Sequence, residues 1–177
     1  VNYVGYPLLD MVKSGSSKHE LRKKFGLAED KLTIGILPGS RIAEIRKLLP
    51  ELLRAAEILK KEMPDMQFVL PLADTLEEKN ISEIVSRFDV KIKIISGQTY
   101  DAVSCTDLAL VTSGTATLEV ALLKVPMIIV YKVSLLSYVV GRLIVDIKNI
   151  GLANIIAGKT IVPELVQNDA NGERIAR

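Results

Sequence analysis

The stretch Leu108-Ala-Leu-Val-Thr-Ser-Gly-Thr-Ala-Thr-Leu-Glu119 decides the fold. It opens on an apolar run without polar alternation, which is typical of a strand covered on both faces. The pattern then predicts a helix over Thr115–Leu123 and a second buried strand over Pro126–Val130. Because a helix between two such strands connects them in parallel, the stretch predicts a βαβ crossover.

The same alternation of strand and helix continues towards the N-terminus. The predicted elements are strands at Thr33–Leu37, Met66–Leu72 and Val90–Ile95, and helices at Thr75–Phe88 and Thr99–Cys105. Repeated crossovers of this kind predict an α/β fold with a Rossmann-like, doubly wound parallel sheet.

One proline lies inside the helical pattern that follows the first strand. A proline in the middle of a helix costs about 3 kcal/mol, so Pro50 is expected in the first turn of its helix. Residues 41–49 are then predicted to form a separate turn or a kinked lead-in.

The first thirty residues follow a different pattern. Asn2–Leu9 is predicted to be extended, and Ser17 and Glu20 have the spacing of a capping box. We expect residues 1–30 to be a lead-in from another domain and residues 31–177 to form the Rossmann-like domain. The chain begins without Met and stops in a helix-forming stretch, which indicates a piece of a longer, cytoplasmic protein.

The composition excludes several classes of function. The 177 residues are 49% hydrophobic and 25% charged, with a net charge of +2, which is globular and argues against a dedicated nucleic-acid binder. A single cysteine, Cys105, excludes a disulfide framework, and a single histidine, His19, argues against histidine-rich metal sites. Cys105 is expected to be a buried, inert thiol and His19 a solvated residue. The acidic residues Glu77, Glu78, Asp101 and Asp107 are expected on the surface.

Pro38-Gly-Ser-Arg41 follows the first strand and is the first candidate binding loop. Ligands of open parallel sheets bind at the carboxyl ends of strands. Gly39 allows a close approach of the backbone, Ser40 offers a hydroxyl, and Arg41 offers a planar fork for phosphate. An ordinary turn with a solvated arginine is the alternative. Neither the dinucleotide fingerprint nor a phosphate-binding Gly-Lys-Ser/Thr motif is present in the sequence.

The loop from Thr112 to Glu119 is the second candidate. Small residues at a helix start expose N–H groups, which bind anions with the help of the helix dipole. Glu119 lies one turn beyond Thr115 on the same helix face and suits a sugar diol. An anion site beside an acid is what a nucleoside diphosphate requires. Alternatively, Ser113 and Thr115 merely cap the helix.

Tyr131-Lys132 and the segment behind it form the third candidate. Leu135–Ile147 is strongly apolar and contains Arg142 as a basic residue. Such a segment contacts a membrane surface or a lipid chain, or else belongs to the core or a domain interface.

With these loops in view, the sequence resembles the C-terminal part of lipid-A-disaccharide synthases, which are inverting glycosyltransferases. The resemblance rests on six blocks: Val4–Leu8, Leu37–Arg41 with Glu44-Ile45, Ser113–Glu119, Pro126–Lys132, Gly151–Gly158 and Val162–Gln167. It implies one domain of a two-domain GT-B architecture, in which this domain holds the UDP part of the donor. The implied donor-binding residues are Gly39, Ser40, Arg41, Ser113, Gly114, Thr115, Ala116, Thr117, Glu119 and Asn154.

In the reaction that the resemblance implies, 2,3-diacylglucosamine passes from UDP to 2,3-diacylglucosamine 1-phosphate and UDP is released. Arg41 and Ser113–Thr117 would face the diphosphate, Glu119 the ribose, and Asn154 the cleft. No metal or redox cofactor is implied, and the catalytic residues are expected in a domain before Val1. The resemblance also implies a reaction at the cytoplasmic face of the inner membrane, for which Leu135–Ile147 would be the membrane contact.

Two departures from the family pattern concern Tyr6, where the family usually has His, and Lys132, where it commonly has Arg. Lysine keeps the charge but loses the bidentate fork, so Lys132 is a weaker candidate for binding phosphate.

Two other hypotheses stay open at this point. The chain could belong to another GT-B enzyme, such as a UDP-sugar transferase or a UDP-N-acetylglucosamine epimerase. It could also be a non-catalytic module that docks to a membrane or a partner through Leu135–Ile147.

Overall fold

The protein folds around one parallel sheet, as seen in a computed structural model that describes residues 8–132 and 149–177. The strands are β1 (Thr33–Leu37), β2 (Gln67–Leu72), β3 (Ile92–Ser96), β4 (Leu108–Thr112), β5 (Met127–Tyr131) and β6 (Glu164–Val166). Their order is β3-β2-β1-β4-β5-β6, and each neighbouring pair is parallel. This is the doubly wound order, so the predicted fold class is confirmed.

Helices cover both faces of the sheet. They are α1 (Leu8–Met11), α2 (Lys18–Lys24), α3 (Ile42–Glu62), α4 (Glu78–Val85), α5 (Thr99–Ser104), α6 (Thr115–Leu122), α7 (Leu152–Ala157) and α8 (Gly172–Ala176). The core on one face combines the sheet with α3, α4 and α8. The cores on the other face involve α2, α5, α6 and α7.

The central strands show why the sheet is buried on both sides. Along β4, Ala109 and Val111 pack on the α6 face, whereas Leu110 packs on the α3 face. Side chains of a strand alternate between faces, so a continuous apolar run supplies both cores at once. Parallel pairing with β1 sets Ile34 opposite Leu108 and Leu37 opposite Val111.

The prediction for Pro50 was wrong. Helix α3 begins at Ile42 and carries Pro50 in its interior. Ile45, Leu48 and Leu49, which precede the proline, are all at most 1% exposed. Burial of each such side chain contributes roughly 1.5–3 kcal/mol, which together exceeds the cost of about 3 kcal/mol for the proline. Packing on the sheet therefore keeps residues 42–49 helical.

Two further boundaries differ from the predictions. Leu8 and Leu9 belong to α1 and are not extended, whereas residues 2–7 of that predicted stretch lie outside the described residues. Helix α4 is shorter than Thr75–Phe88, because Thr75 donates its hydroxyl to the Ser40 carbonyl and its neighbour Leu76 closes a turn onto Ala73.

Helix α2 packs directly on the sheet. Its capping box is confirmed, since the Ser17 hydroxyl accepts from the Glu20 N–H and the Glu20 carboxylate accepts from the Ser17 N–H. Leu21 and Phe25 are buried against β2, β3 and α5. This part of residues 1–30 is therefore a layer of the sheet domain, and its origin as a lead-in from another domain stays a prediction.

The expectations for the two single residues agree with the structure. Cys105 is a free, buried thiol, and burial raises its pKa to about 11, so it is a poor nucleophile. The side chain of His19 is 65% exposed and lies beside Glu29.

The side chain of Asp107 is 28% exposed, in line with the surface prediction, but its carboxylate is engaged by three groups. Its carboxylate accepts hydrogen bonds from Arg22 at 2.6 Å, from the Thr33 N–H at 2.7 Å and from Lys18 at 2.5 Å. Burial alone would raise the pKa of Asp107, but these bonds outweigh it and lower the pKa. Asp107 therefore ties α2 to the start of β1. Asp101 is likewise engaged, by Lys24 and Ser14.

We expect Asp107→Asn to lower the free energy of unfolding by about 2 kcal/mol, because the buried Arg22 would lose its counter-charge. Urea denaturation at neutral pH measures this difference. Since the native pKa of Asp107 lies below the ordinary 3.8, the difference is complete above that pH and disappears as the pH falls through the lowered pKa.

The matched control for this substitution is Asp65→Asn. Asp65 pairs with Lys31 at 3.3 Å, but its side chain is 92% exposed. Its loss should cost less than about 0.5 kcal/mol. Equal effects of the two substitutions would contradict a structural role for Asp107.

Candidate functional site

A cleft of about 460 Å³ opens at the carboxyl ends of β1 and β4. The strand order reverses between these two strands, and ligands of doubly wound sheets bind at this position. The cleft brings together most of the residues that the sequence predicted, namely Gly39, Ser40, Arg41, Ser113, Gly114, Thr115, Ala116 and Glu119.

The turn after β1 forms one wall of the cleft. Gly39 has φ +104°, a conformation that other residues rarely adopt. Arg41 precedes the first turn of α3 and makes no side-chain capping bond. Its guanidinium pairs with Glu44 at 3.0 Å, yet the side chain is 81% exposed. Arg41 is therefore weakly held and free to turn towards a ligand in the cleft.

The start of α6 forms the opposite wall. Gly114 has φ 154° and ψ −163°, a region essentially restricted to glycine, and no side chain caps the helix. Ser113 donates its hydroxyl to the Ile150 carbonyl at 3.1 Å. The alternative that Ser113 and Thr115 merely cap α6 is therefore wrong. The first N–H groups of α6 remain without a side-chain acceptor from its cap and can meet a ligand.

Glu119 stands on α6 in the interior of the cleft. Burial raises its pKa, although the Tyr100 hydroxyl donates a hydrogen bond to the carboxylate and acts in the opposite direction. The pKa of Tyr100 is also raised, by burial and by the negative charge of Glu119. Glu119 is thus a half-buried acid. When ionised, its carboxylate accepts one hydrogen bond from Tyr100 and can accept further hydrogen bonds from a ligand.

A second cleft, of about 510 Å³, adjoins the first at Glu119. Glu119, Ala73 and Thr99 line both clefts. The second cleft extends along the loop after β3, from Gly97 to Asp101. A ligand in the first cleft can therefore continue past Glu119 into the second.

Asn154 does not line the cleft, contrary to the prediction. It is fully buried, and its amide donates to the Val162 carbonyl at 2.9 Å and to Glu164 at 2.7 Å. Its side-chain oxygen accepts from the N–H groups of Ile161 and Val162. Asn154 thus holds the turn that connects α7 to β6.

Lys132 and Thr117 are also engaged elsewhere. Lys132 pairs with Glu51 of α3 at 3.1 Å. Thr117 is buried and donates its hydroxyl to the Gly114 carbonyl at 2.8 Å, which fixes the first turn of α6. The segment Leu135–Ile147 lies outside the described residues.

Sequence reasoning included Thr112 in the second candidate loop and Glu44 in a matching block but named neither as a binding residue, and it passed over Tyr100; all three line these clefts. Thr112 is 5% exposed, and its hydroxyl is the only buried side-chain N or O atom in residues 8–132 and 149–177 without a hydrogen-bond partner. A buried hydroxyl without a partner costs about 1–3 kcal/mol. The available signal was a threonine that ends an otherwise apolar strand.

Comparison with known families covers the whole chain. A family model described as lipid-A-disaccharide synthetase matches residues 1–177. The chain belongs to this family. The lipid-A-disaccharide synthase of Syntrophus aciditrophicus is 51% identical over 177 residues, and that of Nitrosococcus oceani is 44% identical over 176. Each match covers 99% of this chain and 46% of the relative, so the chain spans about half the length of these synthases.

Solved glycosyltransferases share the fold of this synthetase domain. WaaG, a glycosyltransferase of lipopolysaccharide biosynthesis, superimposes with a TM-score of 0.62 at 17% identity, over 93% of this chain and 42% of its own. The ADP-heptose heptosyltransferase II of E. coli gives a TM-score of 0.60 at 13% identity, over 93% and 50%. These likenesses confirm the Rossmann-like fold class, which in such enzymes forms about half of the chain.

We expect Glu119→Gln to raise the free energy of unfolding at neutral pH. The pKa of Glu119 is raised above its ordinary value of 4.5 in the folded protein. As the pH rises above 4.5, the carboxyl therefore ionises less readily in the folded than in the unfolded state, and the protein becomes less stable. Glutamine keeps an acceptor for Tyr100 without this penalty. Thermal melts of both proteins between about pH 4 and pH 8 measure the effect, because this range begins near the ordinary pKa of a carboxyl group.

In the same melts, Glu62→Gln is the control, because Glu62 lies exposed at the end of α3. Its melting temperature should follow that of the parent at every pH. A Glu119→Gln protein that is less stable than the parent at neutral pH would show that the carboxylate supports the fold instead of a ligand.

Proposed function

We propose that the cleft between β1 and β4 holds the diphosphate and ribose of a UDP-sugar, which makes this chain the donor-binding part of a lipid-A-disaccharide synthase. One observation carries the proposal. Arg41, the uncapped start of α6 and Glu119 all line a single cleft at the reversal of strand order.

The diphosphate would lie between the two glycine turns. The N–H groups at the start of α6 and the helix dipole favour a negative charge there. Arg41 pairs with Glu44 through one nitrogen, Nη1, and would donate its remaining N–H groups to a phosphoryl group. We propose that these protein donors bind the diphosphate without a metal or redox cofactor.

The ribose would lie on Glu119. An ionised carboxylate accepts hydrogen bonds from both hydroxyls of a diol, and Tyr100 already holds this carboxylate from one side. From there the base would extend into the second cleft, along the loop after β3. One relative of the same fold was solved with UDP and glucose, at a TM-score of 0.58 and 13% identity.

For the whole protein we propose transfer of 2,3-diacylglucosamine from UDP to 2,3-diacylglucosamine 1-phosphate with release of UDP. The part described here would orient the donor and stabilise the charge that develops on the departing diphosphate. The group that activates the attacking hydroxyl is proposed to lie outside this chain, which spans 46% of the first relatives. The isolated chain should then bind UDP and catalyse no transfer.

Calorimetric titration of the chain with UDP tests the donor site. At neutral pH we expect UDP to bind, Glu119→Gln to weaken binding about tenfold by loss of a charged acceptor for the ribose, and Arg41→Ala to weaken it to a similar extent. Addition of EDTA should leave the affinity unchanged.

ADP and NAD are the ligand controls for this titration, and Glu62→Gln is the variant control. Glu62→Gln should bind UDP as the parent does. Preference of the parent for ADP or NAD, or full UDP affinity in the Glu119→Gln chain, would overturn the proposal. Sugar transfer by the isolated chain would contradict the assignment of the attacking base to another part of the protein.

We also propose that the protein works at the cytoplasmic surface of the inner membrane, where lipid-linked sugars reside. No helix within the described ranges is long and apolar enough to span a membrane. The end of α7 and the turn after it expose Ile155, Ile156 and Ile161 to 44%, 64% and 51%, with Lys159 between them. Exposed aliphatic side chains beside a cation suit an anionic lipid surface.

Sedimentation with vesicles that contain phosphatidylglycerol tests this proposal. We expect the chain to sediment with the vesicles and Ile156→Ser to reduce the bound fraction, because less apolar surface would enter the bilayer. Met63→Ser, which replaces an apolar residue 44% exposed at the end of α3, should bind as the parent does. Equal binding by both variants would exclude the isoleucine surface.

A further inference from the structure

The hydroxyl of Thr112 differs from every other buried threonine hydroxyl that the structure describes. Thr106 donates to the Val103 carbonyl at 2.8 Å, Thr117 donates to the Gly114 carbonyl at 2.8 Å, and Thr33 bonds to Lys31 and Gln67. Thr112 Oγ1 is equally inaccessible and has no partner. Buried polar groups are almost always hydrogen-bonded, so an exception requires an explanation.

The position of Thr112 supplies that explanation. It is the last residue of β4, and it lines the cleft at the reversal of strand order. Its methyl carbon Cγ2 would lie 3.7 Å from a Cβ built on Gly39, so it stands against the turn after β1. Thr112 shares a face of β4 with Leu110, which packs in the core with α3. The side chain of Thr112 therefore lies near the turn that connects β1 to α3.

The other polar groups around Thr112 indicate what kind of ligand atom would meet it. Arg41 and the start of α6 both present hydrogen-bond donors to the cleft. Glu44 is the opposing group, because its Oε2 would lie 3.5 Å from a Cβ on Gly39, and its charge is balanced by Arg41. Because the cleft offers mostly hydrogen-bond donors, a ligand that fits it carries several acceptor oxygens. A phosphoryl group is such a ligand group.

We propose that Thr112 is a ligand-binding residue whose hydroxyl donates a hydrogen bond to a phosphoryl oxygen of the donor diphosphate. This inference rests on the proposed donor site and adds to it a contact from the floor of the cleft, beneath the two glycine turns. The ligand thus supplies the partner that the hydroxyl lacks among the described residues.

Thr112→Val tests the inference, because valine has nearly the same shape and lacks the hydroxyl. We expect the full 177-residue chain with this substitution to bind UDP and inorganic pyrophosphate roughly three- to tenfold more weakly, as for the loss of one hydrogen bond. Its affinity for uridine, which has no phosphate, should be unchanged. Thr112→Ser keeps a hydroxyl and should retain most of the affinity.

Thermal stability is a second measurement, in which Thr112→Val should not show the loss that is expected for binding. Thr112→Val removes an unpartnered hydroxyl, so the melting temperature should stay the same or rise. Thr106→Val is the matched control, since Thr106 is 2% exposed but its hydroxyl is bonded. It should lower the melting temperature and leave the affinity for UDP unchanged. A lower melting temperature for Thr112→Val would overturn the inference by showing a structural bond.

The binding data separate this inference from the proposed function. Equal affinities of the parent and Thr112→Val for UDP and pyrophosphate would overturn the inference and leave the donor site standing. Binding of pyrophosphate that depends on Thr112, without binding of UDP, would support the inference and contradict the UDP-sugar assignment. A parent chain that binds neither ligand would overturn both.

Discussion

The parallel pairing of β1 with β4 is the interaction on which the rest of the structure depends. It joins the two halves of the sheet, with Ile34 opposite Leu108 and Leu37 opposite Val111. The chain leaves β1 for α3 on one face and leaves β4 for α6 on the other. Because the two connections diverge from neighbouring strand ends, the backbone itself opens the cleft, and no side chain has to be removed to make room.

The chemistry of the cleft follows from this divergence. Two helices begin at its walls without side-chain caps, and a glycine in a conformation that other residues rarely adopt precedes each of them. Polar groups elsewhere in the described residues are engaged, as the hydrogen bonds of Asn154 and Asp107 illustrate. Two uncapped helix starts, an unpartnered hydroxyl at Thr112 and an acid that is costly to ionise at Glu119 are features that stability alone does not explain.

Local patterns in the sequence were sufficient for β1 to β5 and for the two loops that line the first cleft, whereas β6 and the second cleft were not predicted. The run from Leu108 to Val111 predicts a doubly covered strand, and Gly39 and Gly114 predict the turns that follow, since each inference needs only neighbouring residues. Long-range contacts were not predictable in this way. Asn154 and Lys132 carry the polar groups that a ligand requires, but their partners, Glu164 and Glu51, became visible only in the fold. Pro50 was misplaced because burial on both sides of it outweighs a local preference.

Glu119 is a wall shared by two clefts, and this has a consequence for inhibition. Small fragments that occupy the clefts separately would meet at the same carboxylate, one from the side of Arg41 and one from the side of Gln98. A short linker across Glu119 would make the binding of the second fragment intramolecular. Its high effective concentration would give the linked compound a much higher affinity than either fragment has alone. Such a bridged compound would match the length of the proposed nucleotide without carrying its charge.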